Sequence, residues 1–180
     1  MCTARGSICI WFLSLLFSVF FASEGWGKRS GKEKKGGATY VHEWVECPKV
    51  YGYNLQGEAV PQKAPNGDMH IIILYASWCV PCQNQLKHLM KIEKEMTPRG
   101  MTFSWLFAHD LQADVEGFAK AHGLKHPILA TKDTVAGLHN PGLPSIYICD
   151  RHGWLLHRYM KMKNEDVMKV REFLDKTSGY

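Results

Sequence analysis

The chain has 180 residues, of which 46% are hydrophobic, and a formal net charge of +5. This length is enough for one sizeable core and short for two, so we expect one folded domain. Most of the positive charge lies in residues 28–35, which carry +4, and residues 38–180 carry only +1. The folded part is therefore not expected to bind nucleic acid.

The first 25 residues have the composition of a secretory signal peptide. Arg5 precedes an apolar run of 15 residues, Ile8–Ala22, and small residues follow that run. A membrane-spanning helix needs roughly 20 apolar residues, so we predict a cleaved leader over residues 1–25 and export to the periplasm or another extracytoplasmic space. Residues 26–39 are predicted to be a basic Gly/Lys linker. Two alternatives remain open: an uncleaved leader that tethers the chain to a membrane, and a weak contact of the linker with anionic lipid.

Residues 40–180 are predicted to form the folded domain, which begins with a β-hairpin or an irregular cap over Tyr40–Val60. The continuous apolar run Met69–Tyr75 predicts a central strand that is buried on both faces. A helix is predicted to begin near Cys79 and to end before Pro98, because its apolar side chains are spaced for one buried face.

A second strand over Thr102–Phe107 and a helix over about Asp114–His122 follow, and this order predicts a parallel strand pair with a crossover helix. Ser145–Cys149 and Trp154–Tyr159, separated by a turn, predict an antiparallel hairpin. The last helix is predicted to start at Asn164, which would act as its N-cap. The pattern as a whole predicts an α/β fold with a central mixed sheet flanked by helices.

Two cysteines of the segment Trp78-Cys79-Val80-Pro81-Cys82 lie where the buried strand gives way to the helix. A thiol is a good nucleophile only as a thiolate, and a helix N-terminus stabilises an anion. Cys79 would lie at that N-terminus and is the predicted nucleophile. Cys82 lies one helical turn further along, where it can attack a mixed disulfide, and is the predicted resolving thiol. The pair is thus a candidate redox-active disulfide.

Cys47 and Cys149 are the other cysteines outside the leader, and they are far apart in the sequence. Three states remain open for them: a second, structural disulfide, two buried reduced thiols, or a second exchange pair. A buried free cysteine behaves as a small hydrophobic residue and needs no function. The core is large enough to fold without a disulfide, so redox chemistry is the better explanation for the Cys79–Cys82 pair.

The order of these elements, with Trp-Cys-x-x-Cys at a helix start and Gly142-Leu143-Pro144-Ser145 before the hairpin, resembles the thioredoxin superfamily. The segment Ala76–Cys82 is most similar to the exported TlpA, ResA and DsbE group of bacterial thiol-disulfide oxidoreductases, and the resemblance covers about residues 40–177. It implies a thioredoxin-like fold and a cis peptide bond between Leu143 and Pro144. It also implies that substrate docks against Trp78, Val80, Pro81, Leu143 and Pro144.

Two positions depart from the family pattern. Thioredoxins carry a buried acid six residues before the first cysteine, where this chain has Ile73. ResA-type proteins carry a glutamate three residues after the second cysteine, where this chain has Gln85. Since both usual proton acceptors are missing, we hypothesise that His109 or Asp110 acts as a proton shuttle, because neighbouring parallel strands end at the same sheet edge. The alternative is that both of these loop residues face only solvent.

The predicted function is exchange of a Cys-Val-Pro-Cys dithiol or disulfide with protein substrates, as a reductase or an electron relay. Val80 and Pro81 supply no positive charge to hold a reduced thiolate, which favours a reducing couple. The alternatives are a disulfide-forming oxidase or isomerase of the same fold, a copper- or zinc-handling binding protein, and a redox-inactive binding module.

The expected partners are disulfide-containing or dithiol proteins and a membrane-bound or soluble electron donor. None of the nine histidines forms a ligand-spaced cluster with the cysteines. We therefore expect no metal and no cofactor.

Overall fold

The structure is a computed structural model that describes residues 39–40, 45–60, 67–139 and 142–177. The predicted leader and nearly all of the predicted linker lie outside these ranges. Within them, no helix combines the length and the apolar character needed to cross a membrane.

Within the described ranges, eight strands form one mixed sheet. In chain order they are β1 (Thr39–Tyr40), β2 (Gly52–Tyr53), β3 (Ala59–Val60), β4 (Met69–Tyr75), β5 (Met101–Phe107), β6 (Ile128–Ala130), β7 (Ser145–Asp150) and β8 (Leu155–Tyr159). Their order across the sheet is β1-β8-β7-β4-β5-β6-β2-β3. β4 pairs in parallel with β5 and antiparallel with β7, which confirms the predicted central strand of a mixed α/β sheet.

The described ranges contain four α-helices: α1 (Val80–Met96), α2 (Gln112–His122), α3 (Lys132–Gly137) and α4 (Asn164–Thr177). A short 3-10 turn, Thr97–Arg99, extends α1 and ends at Gly100, whose φ of 86° suits glycine. α2 ends in the same way at Gly123, which has a φ of 68°. The predicted helix ends at Pro98 and Gly123 therefore lie where the structure stops these helices.

β4 is buried at all seven residues, as its unbroken apolar run predicts. Successive side chains of a strand point to opposite faces of the sheet. Ile71 and Ile73 pack in one core with residues of α1, α2 and α4, whereas Ile72 and Leu74 pack in a second core on the other face. The side chains that α1 contributes to the first core include Cys82, Leu86, Leu89, Ile92 and Met96. The helix that carries the cysteines is therefore anchored along its length.

The N-terminal segment extends the sheet instead of capping it. β2 and β3 form a hairpin, which is one of the two predicted forms, and β2 also pairs with β6. Gly52 permits this pairing, because a Cβ atom there would lie 2.5 Å from the carbonyl oxygen of Leu129. Neither β6 nor α3 is among the elements predicted from the sequence.

Cys47 and Cys149 are joined by a disulfide, with their Cα atoms 5.7 Å apart. Cys149 is fully buried in β7. The backbone N–H of Cys47 also donates to the carbonyl oxygen of Gly153, at 2.7 Å. Of the three states left open by the sequence, the structure has the disulfide, which fastens residues 45–50 to the β7–β8 hairpin.

α4 begins at Asn164, but a different side chain closes its first turn. Oδ2 of Asp166 accepts the backbone N–H of Lys163 at 2.9 Å, and Oδ1 accepts from Nζ of Lys169 at 2.8 Å. The expected N-cap, Asn164, is instead the first helical residue. Burial alone would raise the pKa of the Asp166 carboxyl, but the hydrogen bonds and charges of the two lysines outweigh burial and lower it.

Candidate redox-active site

Cys79 occupies the N-cap position of α1, directly after the turn that follows β4. Its backbone is extended, with φ −80° and ψ 106°, and its Sγ accepts the backbone N–H of Cys82 at 3.3 Å. Pro81 lies in the first helical turn, where the missing N–H costs no helical hydrogen bond. The sulfur of Cys79 is therefore held at the positive end of the α1 dipole, as the sequence predicted.

The two cysteines form a disulfide, and they differ in their access to solvent. Cys79 is 5% exposed, whereas Cys82 is completely buried in the core beneath it. Their Cα atoms are 5.2 Å apart, on consecutive turns of the same helix start. An incoming sulfur can therefore reach Cys79 but not Cys82.

The surface around Cys79 is apolar and exposed. Trp78 is 59% exposed and Val80 is 64% exposed, and Pro81 is exposed next to them. The indole N–H of Trp78 donates to the carbonyl oxygen of His109 at 3.3 Å, which fixes the ring over the loop after β5. Exposed large apolar side chains beside a reactive group are typical of a surface that a partner covers.

Leu143 and Pro144 lie at the same end of the domain. The peptide bond between them is cis, Pro144 is buried, and Leu143 is half-buried against the core that contains both cysteines. Leu143 and Pro81 line one shallow groove, together with Gln85 and the segment 161–164. The structure thus brings the two predicted docking elements, which lie about 60 residues apart in the sequence, to one groove.

Asp110 contacts the turn before Cys79, whereas His109 is exposed. The carboxylate of Asp110 accepts the backbone N–H of Ser77 at 3.0 Å and also accepts the Ser77 hydroxyl. Within the described residues, neither His109 nor Asp110 is hydrogen-bonded to a cysteine. The parallel ends of β4 and β5 indicated that Asp110 would lie near the motif, but no sequence signal identified Ser77 as its partner.

Tyr75 ends β4 inside an aromatic cluster. Its ring lies 5.7 Å from that of Trp105, 5.4 Å from that of Phe107 and 5.6 Å from that of Phe118. Burial raises the pKa of the Tyr75 hydroxyl, and the negative charge of Asp110 raises it further. The hydroxyl therefore stays protonated at neutral pH, and its ring supports the turn that carries the cysteines.

Ile73 and Gln85, which replace the acids of the family pattern, are both buried. Ile73 is 1% exposed and packs in the same core as Cys82. Gln85 is also 1% exposed, and its Nε2 donates to the carbonyl oxygen of Met162 at 2.9 Å. The contact of Gln85 with Met162 joins α1 to the chain before α4, and no sequence pattern indicated this contact.

Within the described ranges, no group of three or more His, Cys, Asp or Glu side chains is arranged to hold an ion.

No protein-family model matches the chain. The chain is 24% identical over 168 residues to the thioredoxin-like protein YneN of Bacillus subtilis, an alignment that covers 92% of this chain and 98% of that protein. It is 21% identical over 126 residues to the thiol-disulfide oxidoreductase ResA of Bacillus cereus, which covers 69% of this chain and 73% of ResA.

Solved structures show the same fold. A thiol:disulfide interchange protein of the thioredoxin family from Chlorobium tepidum matches with a TM-score of 0.65 at 18% identity, over 77% of this chain and 99% of that one. A secreted thiol-disulfide isomerase from Corynebacterium glutamicum matches with a TM-score of 0.66 at 18% identity, over 81% of this chain and 96% of that one. Together with the sequence relatives, this thioredoxin-like fold supports a protein thiol-disulfide oxidoreductase that is similar to the TlpA, ResA and DsbE proteins.

Proposed function

We propose that the chain is an exported oxidoreductase that exchanges its Cys79–Cys82 pair with protein substrates and acts as a reductase or an electron relay. In the reducing direction, the Cys79 thiolate attacks a substrate disulfide and releases one substrate thiolate, which takes up a proton. Cys82 then loses its proton and attacks the mixed disulfide. The Cys79–Cys82 bond forms, and the second substrate sulfur leaves as a thiol. Two electrons pass from the chain to the substrate. The proton that Cys79 released to solvent on ionising is balanced by the proton that the first substrate thiolate takes up, and the proton of Cys82 goes to the second.

The observation that carries this proposal is the asymmetry of the two sulfurs. Cys79 caps α1 and is 5% exposed beside exposed apolar side chains, whereas Cys82 is completely buried. A thiolate at a helix N-terminus is stabilised. A buried thiol is shielded from sulfurs in solvent, but it can still attack a mixed disulfide that has formed at Cys79. The geometry therefore supports Cys79 as the nucleophile and Cys82 as the resolving thiol.

Substrate docking is proposed at the groove between Pro81 and Leu143. An extended polypeptide there would cover the exposed faces of Trp78 and Val80 while its sulfur approaches Cys79. Burial of these large apolar side chains would supply most of the binding energy. This arrangement favours a polypeptide over a small disulfide as substrate.

The reducing direction is supported by the absence of charge between the cysteines. Val80 and Pro81 place no cation next to the Cys79 sulfur, which accepts one N–H, that of Cys82, within the described part of the chain. Weaker stabilisation of the reduced thiolate lowers the potential of the couple. A potential of about −120 mV, which is typical of the oxidase DsbA, would refute this direction.

Export is supported by two features. The apolar leader of residues 1–25 is typical of a secreted protein, and the Cys47–Cys149 disulfide is of a kind that persists in oxidising compartments. A structural neighbour from Corynebacterium glutamicum is described as secreted. We propose an extracytoplasmic location on these grounds.

The roles of the cysteines can be tested with two single-thiol variants. Cys82→Ser keeps the attacking thiol and removes the resolving one, so the reduced variant should form a stable mixed disulfide with insulin, detectable by mass spectrometry. Cys79→Ser is the matched control and should form none, because its remaining thiol is buried. Equal trapping by both variants, or by neither, would contradict the proposed mechanism. The direction is measured separately, from the potential of the unmodified protein in a dithiothreitol redox buffer.

A further inference from the structure

Gln85 lies one helical turn after Cys82, on the same face of α1. Residues three apart on a helix are neighbours on its surface. Both side chains point into the interior, since Gln85 is 1% exposed and Cys82 is completely buried. A neutral amide and the predicted resolving sulfur are therefore both buried on one face of α1, one helical turn apart.

The orientation of the Gln85 amide is fixed by its partner. Nε2 donates to the carbonyl oxygen of Met162, at 2.9 Å, and a carbonyl can only accept. The amide oxygen Oε1 must therefore point away from Met162. No residue in the described part of the chain donates a hydrogen bond to Oε1, although it is buried. A buried acceptor without a donor is costly and uncommon, so it calls for an explanation.

The missing donor has a chemical explanation in the redox state of the structure. Cys79 and Cys82 are joined as a disulfide, and a disulfide sulfur carries no hydrogen. Reduction converts Cys82 into a thiol, which has an S–H group to donate. We propose that Oε1 of Gln85 accepts the thiol proton of reduced Cys82 as a hydrogen bond, and that this bond favours the dithiol over the disulfide. This inference rests on the proposed exchange function of the pair.

The bond forms and breaks with each redox cycle. When a donor dithiol reduces the pair, two electrons break the Cys79–Cys82 bond, and the two protons released by the donor thiols end on the two sulfurs. The proton on Cys82 remains bonded to sulfur and is shared with Oε1 as a hydrogen bond. The amide neither gains nor loses a proton, so Gln85 is a neutral acceptor that positions the Cys82 thiol.

Gln85 also links the two halves of the site. Its Nε2 binds the carbonyl of Met162, and the backbone N–H of Met162 donates to the carbonyl of Pro144 at 2.9 Å. The amide that would receive the Cys82 thiol is thus held by the segment that supports the Leu143–Pro144 docking element. A purely structural role for Gln85 would use only this link and would not respond to reduction.

The test is the thiol–disulfide equilibrium of the Cys79–Cys82 pair in a dithiothreitol redox buffer, read by alkylation and mass spectrometry. Gln85→Met removes the acceptor, and we expect the equilibrium to shift toward the disulfide by about fivefold, the size of one neutral hydrogen bond. Gln85→Glu keeps an acceptor of the same shape and, when ionised, strengthens it, so it should shift the equilibrium toward the dithiol. The dithiol content should therefore be lowest in Gln85→Met, intermediate in the unmodified protein and highest in Gln85→Glu.

Gln112→Met is the matched control. The Nε2 of Gln112 also donates to a backbone carbonyl, that of Leu55 at 2.6 Å, but Gln112 is exposed and has no cysteine beside it on its helix. This variant should leave the equilibrium of the pair unchanged.

If Gln85 has a structural role alone, the dithiol content should be the same in Gln85→Met, Gln85→Glu and the unmodified protein. Met and ionised Glu both lose the hydrogen bond to Met162, and they lose it in either redox state. A flat or reversed series therefore overturns the inference. If Gln85→Met does not fold, the comparison of Gln with Glu decides. If the pair does not exchange with dithiothreitol in any variant, the proposed function fails, and not this inference alone.

Discussion

The disulfide between Cys47 and Cys149 should contribute more to the stability of this domain than any single side-chain contact. We expect that replacing both cysteines with alanine in the oxidised protein lowers the free energy of unfolding by about 4–5 kcal/mol. A loss of this size would lower Tm by roughly 10–20 °C for a domain of this length.

The magnitude follows from the sequence separation of the two cysteines. They are 102 residues apart, so the bond closes a long loop in the unfolded chain. In the chain-entropy model a loop of that length contributes about 4.7 kcal/mol. The Cys79–Cys82 bond, with a separation of 3, contributes only about 1.9 kcal/mol in the same model. Because Cys149 is fully buried, the cavity left by alanine adds to the loss.

The assay is urea denaturation without reductant, monitored by tryptophan fluorescence. The control is the double variant Cys79→Ala and Cys82→Ala, which removes a disulfide of the same chemistry with a much shorter loop. The reasoning is refuted if the loss at Cys47 and Cys149 is no larger than the loss in this control. The slope of the free energy with urea should also rise for the Cys47 and Cys149 variant, since its unfolded chain exposes more surface.

Three further variants test the surface of the site and the buried titrating groups. Trp78→Ala should lower kcat/KM for insulin about tenfold and for oxidised glutathione much less, since only a polypeptide covers the ring; equal losses would contradict polypeptide docking. Burial lowers the pKa of His70 below its ordinary value of 6.5, so the unfolded chain binds the proton first and stability falls as pH drops below 6.5. In urea titrations, the unfolding free energy of His70→Gln should fall less than that of the unmodified protein as the pH drops below 6.5. An equal fall in both proteins would refute this explanation. The lowered pKa of Asp166 stabilises the fold above its ordinary value of 3.8 and loses that effect as pH falls through the folded pKa. Asp166→Ala should cost about 1–2 kcal/mol at neutral pH, and the cost should shrink in acid urea titrations; a pH-independent cost would be inconsistent with this charge.

The central elements of the fold could be predicted because their signals are long and consistent. Met69–Tyr75 has no polar interruption except His70, and the structure buries all of it. α1 shows an apolar face over four turns, and the β7–β8 hairpin has a turn signal between two apolar runs. In each of these segments the hydrophobic period and the stop signals indicate the same element, and the tertiary contacts favour that element too.

β6 and α3 were missed because they are too short for a period to be visible. β6 has three residues and α3 has six, and both are held by partners distant in sequence. Thr134, for example, is 1% exposed, and its hydroxyl donates to the carbonyl of Tyr51. Contacts with segments distant in sequence define both elements, and no local sequence pattern indicates such contacts.

The candidate site also has one part that could be predicted from the sequence and one part that could not. The positions of Cys79 and Cys82 follow from the strand–helix boundary, which the sequence shows directly. The environment of Cys82 does not, because it depends on where buried side chains direct their polar atoms. The sequence showed that Gln85 stands where ResA-type proteins have an acid, but only the bond to Met162 shows which end of the amide remains free.

This environment has a consequence for the order of events in the proposed exchange. Cys82 is buried in a core of apolar side chains such as Ile73, and Gln85, one turn further along α1, is a buried neutral amide. The carboxylate of Asp110 is hydrogen-bonded to Ser77. Burial disfavours a thiolate, and an acceptor on Oε1 of Gln85 would favour the thiol further. Attack by Cys79, whose thiolate is stabilised at the N-terminus of α1, needs no such proton release from the interior. We therefore expect resolution of the mixed disulfide to require proton release from a buried thiol, a requirement that the first attack by Cys79 does not share.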